Sequence, residues 1–202
     1  MRGPTDIGGD GSMSRKELGE QAESVVVRYL HDIEDHEILT QHAEGSRPQG
    51  LDIESLGPDG RAYITEVKGT SAQDWHPPRM TRNASERQMS ETWVVDTAGR
   101  DGQVDVDGPY QIGDGPDQVA LRVVQVDMRR DTLSVWDRVG ADGRLDTSQG
   151  PAVVHKLSDV EAAFDAGHPQ DMSGTVAGGQ VLENGPSSEA AIGSIDVAGD
   201  QS

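Results

Sequence analysis

The chain has 202 residues, 36 acidic and 17 basic, giving a net charge of −19 at neutral pH, and it contains no cysteine. That charge is opposite to the basic footprint of most nucleic-acid binders, and the lack of cysteine excludes disulfides and thiolate chemistry. An apolar content of 33% supports one core of roughly 140 residues rather than two full domains.

Only Lys16, Lys68 and Lys156 are lysines, and Asp is abundant. An Asp-rich, Lys-poor, Cys-free composition reads as halophilic, so the acidity reports the solvent more than the partner. Residues 1–100 carry 11 basic and 18 acidic side chains, and residues 101–202 carry 6 and 18. The acid excess therefore lies mostly in the second half. No apolar run is long enough for a membrane, and Met1-Arg2-Gly3-Pro4 does not read as a signal peptide; the expectation is a cytoplasmic protein. The six histidines show no zinc-ligand spacing.

In chain order, residues 1–13 are Gly- and Asp-rich and read as a mobile terminus. Ser14-Arg15-Lys16-Glu17 fits a capping box, with Ser14 as N-cap and Glu17 reaching back. Leu18, Ala22, Val25, Val26, Tyr29 and Leu30 then fall on one helical face, which predicts a helix to about Asp32. Glu23 borders that apolar stripe, whereas Glu20 lies nearly opposite it.

Next comes a tight hairpin: Gly50-Leu51-Asp52-Ile53-Glu54, a turn at Gly57-Pro58-Asp59-Gly60, then Tyr63-Ile64-Thr65-Glu66-Val67-Lys68-Gly69-Thr70. A three-residue loop Pro58-Asp59-Gly60, with Gly60 left-handed, is a common closure. It sets Gly57 opposite Arg61 and therefore Asp52 opposite Glu66. Side chains alternate along a strand, so Glu66 and Lys68 share a face and Val67 points away. Two carboxylates directly across a ladder repel, and a divalent cation between them removes that cost. The alternative is a surface hairpin whose acids are simply solvated.

An Asp, about a dozen residues, then Glu-x-Lys resembles the PD-(D/E)xK nuclease superfamily. The fuller string GLDIES…GRAYITEVKGTS is similar to a restriction-endonuclease-like branch that includes the NO VEIN C-terminal-type domain. The resemblance covers about residues 14–97, with Leu51 where the superfamily's name places Pro. It implies an α/β fold, a mixed sheet flanked by helices. It further implies Mg²⁺ (or Mn²⁺) held by Asp52 and Glu66, with the Val67 carbonyl completing the shell and Lys68 orienting the attacking water. Mg²⁺ takes few carboxylates plus waters and substrate oxygens, which suits a two-acid site. Members commonly place a Glu on the first helix beside the metal. Glu23-Ser24-Val25-Val26-Val27-Arg28-Tyr29-Leu30 resembles the E-x5-Y-L pattern of small resolvase-like members, which selects Glu23. A solvated helix glutamate is its alternative.

Between Trp75 and Gln88 lies the only basic cluster, Arg79, Arg82 and Arg87. These arginines suit nucleic-acid phosphates; the alternative is a helix on which they pair with Glu86 and Glu91. Thr81-Arg82-Asn83 resembles the family's T-x-N-E helix entry, with Ala84 where Glu is expected. A helix is predicted from about Ala84 to Glu91, and for Gln88 on it the resemblance implies the supporting role beside the site that a helix Gln has in some members of the superfamily. Thr92–Asp96 reads as the following strand. With these elements, 14–98 forms a nuclease-like core.

Residues 99–118 are rich in Gly, Asp and Pro and read as a loop. Val119–Val126 and Thr132–Val139 form a second hairpin, Ala152–Leu157 a short strand, and Ser158 opens a helix to about Asp165. Residues 119–166 thus extend the same domain. Residues 167–202 turn to Gly, Ser, Ala and acid, the composition of a disordered tail.

The expected function is a metal-dependent nuclease cleaving nucleic acid, DNA rather than RNA, of repair, restriction or defence type. The alternatives are a non-catalytic domain of the same fold that binds nucleic acid or a partner protein, and an accessory module with an acidic tail. A homodimer or protein partner is compatible with either.

Overall fold

The structure is a computed structural model that describes residues 13–41, 50–82, 86–106, 108, 110–166 and 175–176. Helix α1 (Arg15–Arg28) begins at Ser14, whose hydroxyl accepts from the Glu17 N–H while the Glu17 carboxylate accepts from the Ser14 N–H at 2.8 Å. The helix ends in a π-helical turn, Tyr29–Ile33. Strands β1 (Glu37–Gln41), β2 (Ile53–Leu56) and β3 (Ala62–Thr70) come next. After helix α2 (Glu91–Asp101) come β4 (Gln111–Ile112), β5 (Gln118–Asp127), β6 (Thr132–Trp136), β7 (Val153–Lys156), helix α3 (Leu157–Ala166) and β8 (Thr175–Val176).

These strands build one mixed sheet in the order β1-β2-β3-β5-β6-β7-β8, with β4 paired to the start of β5. Along that path only β3 and β5 run parallel. Their connection passes through α2, as a parallel pair requires a long crossover. Alternating residues of the strands feed two cores. Ile53, Val67, Val124, Val126, Leu133 and Val135 pack under α1 and α3. Ala62, Ile64, Leu121, Val123 and Trp136 pack under α2 with Trp93, Val94 and Ala98. The architecture is therefore α/β, with the sheet between helices.

The helix α1 face includes a buried polar chain. Tyr29 donates to Glu34 at 2.8 Å and lies 3.1 Å from His155 Nε2, Arg122 pairs with Glu34, and His36 Nδ1 meets the Ser55 hydroxyl at 2.9 Å. Desolvation holds both His36 and His155 below the usual imidazole range, against the raising influence of Glu34.

The region after β3 differs from the sequence-based expectation. Gln88–Ser90 is a turn rather than helix, and Thr92–Asp96 is the interior of α2 rather than a strand; residues 83–85 lie outside the described residues. Packing of the next helical turn overrides the β-forming run Thr92-Trp93-Val94-Val95. Trp93, Val94, Thr97 and Ala98 are all buried, a 3.6-residue pattern that extends past the local preference. Ser90 caps the helix, accepting from the Trp93 N–H. Residues 99–101 belong to this helix instead of a loop, and Gln111–Ile112 interrupts the rest. Strand β1 has no counterpart among the elements expected from sequence. β6 ends at Trp136, three residues before the expected Val139, which bridges to Leu145. Residues 1–12 and, apart from 175–176, the tail from 167 onward lie outside the described residues.

Candidate functional site

The hairpin closes as its sequence dictates. Gly60 takes φ 78°, and Gly57 N–H donates to the Arg61 carbonyl at 2.8 Å. The resulting register pairs Ile53 with Thr65 and Leu56 with Ala62, which carries Asp52 opposite Glu66. The ladder stops there. Asp52 lies just outside β2, and its carboxylate accepts the Val67 N–H at 2.8 Å. In a strand the N–H and C=O of one residue point to the same side. The Val67 carbonyl therefore faces the Asp52 side, beyond the end of β2.

Glu66 is 2% exposed. Its Oε1 accepts from Lys68 Nζ at 2.5 Å, and Lys68 also donates to Gln88 Oε1 at 3.1 Å. Glu66 Oε2 is buried without a donor; on its other side this carboxyl meets Asp52. Desolvation, then the Asp52 charge and a hydrogen bond shared with Asp52, push Glu66 up to about 8, against the lowering pull of Lys68. The short Lys68 contact by itself favours an ionised glutamate. Burial prevails because the ammonium is itself partly solvated, whereas the carboxyl is not. The crowding of two carboxyls in this dry place disfavours the charged Glu66, and a cation between them would relieve the same cost.

Gln88 is fixed by the adjoining turn. Met89 sits at φ 65° with its side chain 1% exposed in the α2-side core, a conformation costing roughly 1–2 kcal/mol in a non-glycine residue. The loop at Gly143 packs against this turn, since a Cβ on Gly143 would lie 2.6 Å from the Gln88 carbonyl. Ser90 bridges to Asp142.

Glu23 is half-buried on α1, which packs on the sheet face opposite Glu66 and Lys68. The helix crosses β3 very closely at its end. A Cβ on Gly69 would lie 2.8 Å from the Leu18 carbonyl and 3.0 Å from Ala22 Cβ. Gly69 thus permits the approach of Leu18 and Ala22, and α1 carries Glu23 on the face of the sheet away from Glu66 and Lys68. Arg79 and Arg82 are exposed and Arg87 half-buried. Arg82 and Arg87 bridge directly across an antiparallel pair, where like charges repel. Among the described residues none of the three arginines makes an ion pair, with Glu86 and Glu91 or with any other acid.

Sequence reasoning missed three residues that shape this end of the sheet. Gln125 stands beside Lys68 in the parallel register and donates to the His76 carbonyl at 3.0 Å. Asp127, 2% exposed, accepts from Arg130 Nη1 at 2.9 Å. Arg130 in turn donates to the carbonyls of Ala72 at 3.1 Å and Gln73 at 2.6 Å. Gln125 and Asp127 were visible as polar interruptions of an otherwise apolar strand. The distant carbonyls they help to hold, that of His76 bonded by Gln125 and those of Ala72 and Gln73 reached through Arg130, were not.

The acids, Lys68, Gln88 and Gln125 converge at the carboxyl ends of the parallel strands β3 and β5, where open α/β sheets place their ligand crevices. A cavity of about 570 Å³ lies at the opposite ends of these strands, lined by Arg61, Tyr63 and Arg122 among others. Of its arginines, Arg61 is engaged with the carbonyls of Gly113 and Gln118 and Arg122 with Glu34. Among the described residues no three His, Asp or Glu side chains group as a ready-made metal centre. The donor set at Asp52 and Glu66 is two carboxylates, one with an orphaned oxygen, beside a backbone carbonyl. That set fits a hard cation that keeps most of its ligands as water. No helix among the described residues is long and apolar enough to cross a membrane. Comparison with protein-family models, curated proteins and solved structures finds no match.

Proposed function

We infer that this protein is a metal-dependent phosphodiesterase acting on nucleic acid, DNA before RNA, built on a restriction-endonuclease-like sheet of the PD-(D/E)xK type. One observation carries the reading: Asp52 and Glu66 meet at the end of a ladder with an unmet carboxylate oxygen, and Lys68 is held against them by Gln88. A purely structural hairpin has no use for such a pair, whose burial opposes folding whenever both acids are ionised.

Asp52, Glu66 and the Val67 carbonyl would hold Mg²⁺ or Mn²⁺, which when bound polarises a phosphoryl oxygen and makes a bound water more acidic. Lys68, with two of its three N–H groups directed to Glu66 and Gln88, has a third to orient the attacking water or steady the phosphate. Gln88 keeps the ammonium aimed. Arg79, Arg82 and Arg87 supply guanidinium groups for flanking phosphates, and an anion between Arg82 and Arg87 relieves their repulsion. Glu23, on α1, would assist from the other face of the sheet.

The test is a cleavage assay on single- and double-stranded DNA and RNA with Mg²⁺ or Mn²⁺ across a salt series. Asp52→Ala and Glu66→Ala are expected to abolish cleavage, and Lys68→Ala to slow it strongly while sparing metal uptake. Cleavage that survives both acid substitutions overturns the mechanism. Nucleic-acid binding without cleavage under any condition overturns the hydrolase and leaves a binding domain.

A further inference from the structure

Trp75 is 49% exposed, matched among large apolar side chains of the described residues only by Met13 at 50%. The other tryptophans, Trp93 and Trp136, are 6% and 1% exposed. Residues 71–76 are all exposed, yet their backbone is tied down. Arg130, braced by Asp127, holds the carbonyls of Ala72 and Gln73, and Gln125 holds that of His76. Pro77 and Pro78 then fix the exit. An indole in water on a fixed loop is positioned for a ligand, since neither fold burial nor loop freedom accounts for it.

The address of the loop identifies the ligand. His76 bonds Gln125, the neighbour of Lys68 across the parallel pair, so Trp75 adjoins a residue tied to the edge of the acid–lysine cluster. Arg79, Arg82 and Arg87 continue the same segment. A flat aromatic face beside cations and a phosphate-directed site matches a nucleobase attached to its backbone. Within a continuous duplex the base faces are stacked on one another and closed to an indole. The net charge of −19 repels a polyanion at long range, and stacking is a short-range attraction that salt does not screen.

We propose that Trp75 is a stacking platform for an unpaired base beside the phosphate to be cleaved, so that the substrate is single-stranded nucleic acid. This rests on the phosphodiesterase reading above and names its substrate class. Trp93 and Trp136 also emit, but their burial keeps a bound base from their indoles, so the ligand-dependent change, read as the difference from Trp75→Phe, reports Trp75.

The experiment titrates full-length Lys68→Ala protein, in which cleavage is slowed, with oligothymidylate, oligouridylate of equal length and a blunt DNA duplex. Either single strand is expected to quench the fluorescence and the duplex to leave it unchanged. Adding Trp75→Ala weakens single-strand binding, read by anisotropy of a labelled oligonucleotide, by about tenfold; Trp75→Phe retains most of it. Equal quenching by duplex, single-strand binding without quenching, or unchanged affinity in Trp75→Ala overturns the proposal. So does an emission maximum that shifts with protein concentration alone, which would assign Trp75 to a second copy of the chain. Cleavage by otherwise unaltered protein is scored separately. Metal-dependent cleavage lost in Asp52→Ala but indifferent to Trp75→Ala refutes the platform and leaves the hydrolase standing. Neither binding nor cleavage of any nucleic acid refutes both.

Discussion

Glu66→Gln turns the acid pair into a measurable stability effect. In metal-free protein Glu66 titrates near 8 rather than at its ordinary 4.5. The folded state keeps a proton that the unfolded chain has released over that whole interval. A group raised on folding contributes its stability fully below pH 4.5 and loses it as pH rises toward 8. At about 1.4 kcal/mol per pH unit the loss is on the order of 5 kcal/mol. Glutamine imitates the protonated carboxyl. Its carbonyl still accepts from Lys68, and its amide donates to Asp52. The variant should therefore match the parent near pH 4.5 and exceed it increasingly up to pH 8, by several kcal/mol. Urea unfolding of both proteins in chelator, at fixed salt from pH 4.5 to 9, measures this. The general effect of an acidic surface is common to both and cancels in the difference. Parallel curves would show that Glu66 is not desolvated against Asp52, and the proposed cation site would lose its physical basis.

Four further outcomes rest on the same structure. His36 and His155 are held neutral by burial, so stability present above their unfolded value of about 6.5 should fall as pH drops below it. The slope is up to about 1.4 kcal/mol per pH unit for each imidazole, and it should flatten in His155→Gln. Gly69→Ala forces a Cβ against the Leu18 carbonyl at 2.8 Å. It should destabilise by roughly 1–3 kcal/mol in chemical denaturation, with the loss restored by no surface change elsewhere. Trp93→Ala opens the α2-side core and should cost about 3–5 kcal/mol, whereas a strand at 92–96 with Trp93 on its solvent face would lose little. Ser90→Ala removes the α2 cap for about 1 kcal/mol, seen as a lowered thermal midpoint.

Where local chemistry and tertiary packing agree, the fold was legible. The α1 cap is carried entirely by Ser14 and Glu17, and the hairpin register is set by one glycine and a three-residue loop. That register alone brought Asp52, Glu66 and Lys68 together on paper, because strand alternation leaves no freedom once the turn is fixed. The β5–β6 hairpin and the β7–α3 corner were legible for the same reason. Helix α2 was not. Its first turn is written in β-forming residues, and its helical period becomes visible only when Thr97 and Ala98 are counted with Trp93 and Val94. Strand β1 is five residues with a register shift against β2, too short and irregular to show an alternating pattern.

The least legible distinction lay between two glutamates on one face of the hairpin. Glu54 and Glu66 are 0% and 2% exposed, and each leaves one carboxylate oxygen without a donor. Their surroundings differ in kind. Glu54 Oε2 accepts from the Thr40 hydroxyl at 2.5 Å and the Gln103 N–H at 2.8 Å. Its other oxygen is sealed by Gly102, on which a Cβ would come within 2.6 Å. It ties β1 and β2 to the end of α2, and nothing can reach it. Glu66 has only the partly solvated ammonium of Lys68 on one oxygen, and the other is turned toward a half-buried Asp52 at the point where β2 ends. The same residue type at the same depth thus closes a joint in one place and leaves a charge to be met in the other. The difference rests on whether the neighbouring strand continues. That is set by where the chain leaves the ladder at Asp52.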